Sequence, residues 1–229
     1  DPTTWVLTLR DDVIFHNGRP FTADAVVNVV TFLADRFGSG EAVATEMAFL
    51  HSAMAIDDFT VEIRTDYPVP VLPRFLPVLH MVEPESWRAM TKDEFALNPV
   101  GTGPFKVEGF GATKVSFSAH EQAWRPSHVD GLEILAVPDS TARLQGLISG
   151  SVDVALALGP DDRETVEMMG GTFRGWRSET VRTISFVLTE GAGPLDDVRV
   201  RQALNLAVNR QGIIDGLLGG ITIPASQGA

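Results

Sequence analysis

The alternation of apolar and polar residues predicts short β-strands at several points along the chain. Residues 5–10 alternate and are rich in β-forming side chains, and residues 60–64 repeat this pattern after a turn at 56–58. Residues 105–107 and 115–118 predict the two strands of a hairpin. Further extended segments are predicted at 13–15, 132–135, 152–156 and 184–188.

Helices are predicted where apolar residues recur three or four positions apart. Thr22 is a candidate N-cap for a helix whose apolar stripe includes Val26, Val29 and Leu33. Other helices are expected within 72–81, at 140–147 after Asp139 or Ser140, at 198–208 after Asp197, and at 210–218. Because strands and helices alternate in the second half of the chain, the pattern predicts α/β layering.

Composition excludes several classes of function. The 229 residues carry 18 basic and 30 acidic side chains, a formal charge of −12, which argues against a nucleic-acid partner. There is no Cys, so disulfides, thiolate zinc sites and cysteine nucleophiles are excluded. No apolar run approaches the ~20 residues of a membrane span, and an export signal is expected to lie outside this sequence.

Several short motifs suggest chemistry that their context does not support. Gly101-Thr102-Gly103 lacks the Lys and the strand-to-helix setting of a phosphate-binding loop, so a tight turn is expected. His16 stands beside the Asn17-Gly18 turn and is expected to hydrogen-bond the turn rather than to act as a ligand or base. The five His show no metal-ligand spacing, so neither a metal site nor a cofactor is predicted.

Four blocks of sequence, taken in order, resemble the bacterial extracellular solute-binding proteins of family 5, which serve oligopeptide, dipeptide and nickel ABC importers. The blocks are WVLTLRDDVIFHNGRPFTADAV at 5–26, PVGTGPF at 99–105, the segment 124–153 with WRP and PDSTAR, and DVRVRQALNLAVNR at 197–210. Ala25 departs from the family, which commonly places an acidic residue there, and Asp24 is expected to keep the helix-terminus role.

The resemblance implies an α/β fold, a periplasmic-binding-protein-like lobe of type II, cluster C. Residues 1–119 are expected to form a small mixed α/β subdomain, and residues 120–229 the main-sheet part of the lobe up to the hinge region. Family members are longer than this chain, so a first portion and the second lobe are expected to be absent. Apolar surface that the second lobe normally covers is then expected to be exposed.

The resemblance also implies ligand-binding residues. Met47 and Phe49 lie where relatives place a bulky side chain over the ligand, although core packing is an equal alternative. His80 lies near the position of a ligand-facing basic side chain in nickel-binding relatives. At the entry to a central strand, Thr183 and Ser185 are candidate hydrogen-bond donors and Arg182 a candidate carboxylate partner.

The function implied is that of the substrate-binding component of an ABC importer, not an enzyme. It would capture a peptide, an opine-like compound or a nickel chelate and deliver it to the permease, in a periplasmic or extracellular location. A competing hypothesis is a hydrolase or other periplasmic enzyme that uses Asp153, His80 and Ser185. A third is a sensory or chaperone-like periplasmic module on the same fold.

Overall fold

The structure, a computed structural model, describes residues 2–35, 40, 42–175, 186 and 193–224. Its contacts divide the chain into two compact units, residues 1–136 and 137–229. The boundary predicted after residue 119 falls earlier than this division. The physical reason is that the strand ending at Ala119 pairs with a further strand at Gly131–Leu135, which therefore belongs to the same unit.

The first unit begins with a three-stranded antiparallel sheet. Its strands are β1 (Thr4–Thr8), β2 (Leu50–Asp57) and β3 (Thr60–Thr65), in the order β1-β3-β2. β1 and β3 follow the predicted alternation, because Val61 and Ile63 are fully buried while Glu62 and Arg64 form an ion pair on the other face. β2 was not predicted from the sequence.

Helix α1 (Ala23–Ala34) packs mainly against β2. Its buried face is formed by Ala23, Ala25, Val26, Val29, Val30 and Leu33, which includes the predicted stripe. Thr22 has the extended backbone of an N-cap, but its hydroxyl makes no capping hydrogen bond. The Ala23 N–H donates instead to the Asp58 carbonyl at 2.8 Å, and the burial of Ala23 and Ala25 adds to this hold on the start of the helix.

One short helix precedes β2, and the other short helices of this unit connect the first sheet to the second. They are α2 (Ala42–Glu46), α3 (Leu72–Phe75), a 3₁₀ turn (Leu76–Val78), α4 (Pro84–Ala89) and α5 (Lys92–Leu97). Trp87 on α4 makes edge-to-face contacts with Phe32 on α1 and Phe95 on α5, with ring centroids 5.1 and 5.0 Å apart. Aromatic packing thus joins these helices to the core of the first unit.

The second sheet of this unit contains β4 (Phe105–Phe110), β5 (Lys114–Ala119) and β6 (Gly131–Leu135), in that order. Both pairings are antiparallel, so the predicted hairpin and the predicted strand after it are confirmed. All five residues of β6 are exposed to solvent.

The second unit is helical over its described residues. Its elements are α6 (Ser140–Ile148), a 3₁₀ turn (Pro160–Asp162), α7 (Arg163–Met168), a 3₁₀ turn (Gly193–Asp196), α8 (Val198–Ala207) and α9 (Arg210–Leu217). The three helices predicted here from caps and periodicity, α6, α8 and α9, are confirmed. None of the helices in the described part of the chain is long and apolar enough to cross a bilayer.

The strand predicted at 152–156 was wrong, since this segment forms no ladder. The Arg143 guanidinium donates hydrogen bonds to the carbonyls of Val137, Pro138 and Ala157 at 2.7–2.9 Å. Ala157 has a left-handed backbone with φ of 55°, which a continuing strand could not adopt. The strand predicted at 184–188 lies outside the described residues, except for Phe186.

Candidate functional site

His16 fastens two distant segments of the first unit together. Its Nδ1 accepts a hydrogen bond from the Gly101 N–H at 3.3 Å, and its Nε2 bonds the Gly103 carbonyl at 3.1 Å. The backbone N–H of His16 also donates to the Gly101 carbonyl at 2.9 Å. His16 was expected to bond a turn, and it does, but the turn is the one at 101–103 rather than its own neighbour at 17–18. These partners define a neutral ring with its proton on Nε2.

His120 lies edge-on to His16, with ring centroids 5.2 Å apart and ring planes at 90°. The side chain is buried, with the residue 2% exposed, and neither ring nitrogen has a hydrogen-bond partner in the structure. Burial lowers the pKa of His120, the positive charge of Lys106 and the neighbouring His16 lower it further, and the Gly103 backbone opposes the shift. Burial likewise lowers the pKa of His16, with Lys106 adding to the effect and the Gly103 carbonyl opposing it.

Glu83 is a buried carboxylate that the sequence reasoning missed. It accepts hydrogen bonds from the backbone N–H groups of Glu85 and Ser86 at the start of α4, and from the Ser86 hydroxyl. Asn17 donates to the same carboxylate at 3.1 Å, and Arg19 lies 3.8 Å away. These contacts show an N-cap that ties the 17–19 turn to α4. The signal was present, because Pro84 after an acidic residue is typical of a helix start.

Met47 and Phe49 were predicted to contact a ligand, but the structure buries both side chains in the core of the first unit. Phe49 packs edge-to-face on Phe75, with ring centroids 5.1 Å apart. Of the two alternatives that the sequence left open for these residues, packing is the one seen in the structure. Both belong to the same buried cluster as Leu72 and Leu79, which anchors the 72–82 segment in the core.

His80 is exposed at the end of that segment, directly after the buried Leu79. Its backbone N–H donates to the Val78 carbonyl at 3.0 Å, which closes the corner after the 3₁₀ turn. The neighbour Leu79 anchors the corner in the core while the imidazole faces solvent. Of the predicted ligand-binding residues that the structure describes, His80 is therefore the one whose side chain is accessible to a ligand.

The remaining predicted residues, Arg182, Thr183 and Ser185, lie outside the described part of the chain. Asp153, which the enzyme hypothesis uses, is exposed in the second unit. Within the described residues, no group of three or more His, Asp or Glu side chains could hold a metal ion.

Two concavities lie on the first unit, and neither is lined by a predicted ligand-binding residue. The first, of about 420 Å³, lies along α1 and α4 and is lined by Val27, Asn28, Thr31, Phe32, Trp87 and Arg88. The second, of about 370 Å³, is polar and is lined by Thr3, Thr4, His51, Arg64, Thr65 and Asp66. His51 and Asp66 form an exposed pair in it, with Nδ1 and Oδ1 2.9 Å apart.

Residues 1–228 match the family described as bacterial extracellular solute-binding proteins, family 5 Middle. The chain belongs to this family. The nickel-binding periplasmic protein of Escherichia coli K12 is 27% identical over 96% of this chain and 43% of its own length. The glutathione-binding protein GsiB of Salmonella typhimurium is 28% identical over 99% of this chain and 44% of its own length. The family 5 chain thus spans less than half the length of these curated relatives.

Solved structures show the same fold. NikZ from Campylobacter jejuni, in complex with Ni(L-His), superposes with a TM-score of 0.76 at 24% identity, covering 96% of this chain and 45% of NikZ. MoaA from A. tumefaciens R10, in complex with mannopinic acid, has a TM-score of 0.74 at 25% identity, covering 93% of this chain and 44% of MoaA. The expected periplasmic-binding-protein fold is confirmed, and the relatives named here are binding proteins.

Proposed function

We propose that this family 5 chain forms part of the substrate-binding component of an ABC importer. In this proposal the protein is periplasmic or extracellular, captures a small ligand built from amino acids, and delivers it to the permease. The ligand is a peptide or a nickel chelate, with opine-like compounds as the third member of the class. The observation that carries the proposal is the family match over residues 1–228, together with the shared fold.

The ligands named for the relatives support one shared chemistry. Peptides, glutathione and histidine complexes all carry the carboxylate of an amino acid. A carboxylate is best held by a guanidinium, which can donate two parallel hydrogen bonds to it. Arg182 stays the proposed partner for this group, with Thr183 and Ser185 as additional donors.

If nickel is the cargo, it has to arrive with ligands of its own. The described residues contain no cluster of three His or carboxylate groups, and exposed His80 offers a single imidazole. Imidazole is a good ligand for nickel, and one side chain can complete a coordination sphere that a chelator has largely filled. We therefore propose that His80 contacts the metal in a histidine chelate rather than forming part of a preassembled site.

The test is a thermal-shift measurement on the protein expressed from its complete gene. A ligand that binds the folded state alone raises the melting temperature, by several degrees when its concentration exceeds the dissociation constant about a hundredfold. The probes are short peptides, nickel alone, histidine alone, and nickel with histidine. A shift with peptides alone identifies a peptide receptor, whereas a shift that needs nickel and histidine together identifies a chelate receptor. No shift with any probe contradicts the proposed ligand class.

Two matched pairs of variants separate the residue roles. His80→Gln is expected to reduce the shift caused by nickel with histidine, while His128→Gln, a change at another exposed His, leaves it unaltered. Arg182→Gln is expected to reduce the shift caused by every carboxylate ligand, and Arg174→Gln serves as its control. Equal thermal shifts for the wild type and His80→Gln would show that His80 does not contact the ligand. The proposal that the protein serves an importer would be unaffected.

A further inference from the structure

The pair of rings formed by His16 and His120 has a feature that ligand binding does not explain. His120 is 2% exposed and neither of its nitrogens has a hydrogen-bond partner in the structure, although buried polar atoms are normally paired. Its backbone is firmly held, because its N–H donates to the Pro104 carbonyl and its carbonyl accepts from the Ala123 N–H. The imidazole is therefore kept in place against His16 without any bond of its own.

The neighbouring ring of His16 accepts the Gly101 N–H of the 99–104 turn only while the ring is neutral. Its Nδ1 accepts the Gly101 N–H, and a protonated imidazole has no acceptor to offer. Other bonds to this turn do not need an acceptor on the ring: they run from the backbone N–H groups of His16, Glu83 and His120 to the carbonyls of Gly101, Val100 and Pro104, and from His16 Nε2 to the Gly103 carbonyl. Protonation of His16 would thus cancel the bond from the Gly101 N–H and leave these bonds in place.

The charges around the two rings oppose protonation. Lys106 on β4 acts on both rings, and each ring would repel a charge on the other across 5.2 Å. Glu83, the carboxylate that bonds Asn17 next to His16, already accepts hydrogen bonds from the start of α4. The geometry therefore disfavours a proton on either ring while the turn is closed.

We infer that the His16–His120 pair is an acid-sensitive latch that fastens the 13–20 segment to the 99–104 turn. At neutral pH both rings are neutral and the latch is closed. In acid, a proton enters the pair, the Gly101 N–H loses its acceptor, and the turn that leads into β4 is loosened at Gly101 while its other bonds remain. The latch lies within the first unit, and the inference does not depend on which ligand the protein carries.

The direction of the pH dependence follows from linkage. An unfolded chain takes up a proton on His near its ordinary pKa of 6.5, whereas the folded state resists it until a lower pH. Stability is therefore complete above about pH 6.5 and falls as the pH drops from there towards the folded-state pKa. Each unit by which the pKa is lowered corresponds to about a tenfold change in the unfolding equilibrium constant.

The first test is an NMR titration of the imidazole protons in the 229-residue chain between pH 8 and pH 5. Short peptides that contain a single His serve as added references. His16 and His120 are expected to titrate at lower pH than these references. The Gly101 amide is expected to lose about tenfold in protection from hydrogen exchange as they do so, after correction for the intrinsic rate. Titration of both rings together with the references would overturn the latch.

The second test uses His120→Phe, which keeps an aromatic ring beside His16 but cannot take up a proton. Between pH 7.5 and pH 5.5 the unfolding equilibrium constant of the variant is expected to rise less than that of the wild type, by a factor of up to about ten. His128→Phe makes the same chemical change at an exposed position and should retain the wild-type slope. An unchanged slope in His120→Phe would contradict the inference. If that variant fails to fold, the titration of the wild type decides.

Discussion

Glu83 illustrates how a single residue can combine a negative charge with nearly complete burial. The residue is 3% exposed, and burial by itself would raise the pKa of its carboxyl. The bonds from Ser86 and from the Glu85 N–H, together with the charge of Arg19, outweigh burial and lower the pKa instead. The carboxylate is therefore stable as an anion because the start of α4 is built around it.

Replacing Glu83 with Gln should destabilise the first unit. The amide has one acceptor oxygen where the carboxylate has two, so donors at the start of α4 lose their partner, at a cost of about 1–3 kcal/mol. Urea unfolding at pH 7 measures this loss. Exposed Glu121, changed to Gln, should alter the free energy of unfolding by less than about 0.5 kcal/mol.

Glu83→Gln should also change how the free energy of unfolding depends on pH. Because the pKa of Glu83 is lowered, its contribution to stability is present above the ordinary value of 4.5 and is lost as the pH falls through the folded-state pKa. Glu83→Gln should therefore lose less stability than the wild type between pH 5 and pH 3. A parallel acid dependence in both proteins would contradict the role given to this carboxylate.

Prediction from sequence at the residue scale succeeded where the signal was local. A turn at 101–103 and a structural role for His16 could be predicted from neighbouring residues, but the distant partner of His16 could not. The burial of Met47 and Phe49 could not, because an apolar side chain over a ligand and one in a core follow the same pattern. Nor could the position of His120 beside His16, since that contact depends on the pairing of whole segments.

At the scale of elements, the capped helices were the most predictable parts of the chain. Asp139 accepts a hydrogen bond from the Ala142 N–H at 2.7 Å, and Asp197 from the Arg199 N–H at 2.9 Å. A cap is encoded by a few adjacent residues, so it can be predicted without knowledge of the tertiary structure. Helices α4 and α5 were missed because each is short and lacks a full apolar period, although both have a capping signal.

The N-cap at Asp139 leads to a prediction about the contribution of helix α6 to stability. Asp139→Ala removes the acceptor for the Ala142 N–H and should lower the free energy of unfolding by about 1 kcal/mol. Asp139→Asn keeps an acceptor oxygen and should recover most of the loss. The measurement is the chemical denaturation midpoint of the two variants and the wild type. Equal midpoints for Ala and Asn would show that the cap contributes nothing.

At the scale of the whole molecule, the buried apolar side chains are unevenly distributed. Of the buried hydrophobic residues that the structure describes, only Val166 and Ile214 lie in the second unit. Large apolar side chains there face solvent, with Leu206 83% exposed, and others are Val154, Leu156, Met168 and Leu217. Exposed apolar surface was expected from the resemblance. We propose that it packs against parts of the fold that the longer relatives possess.

This distribution predicts that the 229-residue chain associates with itself. Contiguous exposed apolar surface favours self-association because burying it releases water. Leu206→Lys combined with Leu217→Lys should raise the dissociation constant at least about tenfold, as measured by sedimentation velocity over a range of concentrations. Met54→Lys alters an exposed apolar residue of the first unit and should leave it unchanged. A wild type that stays monomeric would contradict the prediction.

Strand β6 favours a second kind of association, in which the strand of another chain adds to the edge of its sheet. Among the described strands it lies at the end of its sheet and exposes Leu132, Ile134 and Leu135, so this edge could template the addition of another chain. Glu133 stands between these apolar residues and bonds Lys114 on β5 at 2.7 Å. In a stack of identical strands the Glu133 carboxylates would lie above one another and repel. One ionised side chain therefore works as a gatekeeper against fibril growth along this edge.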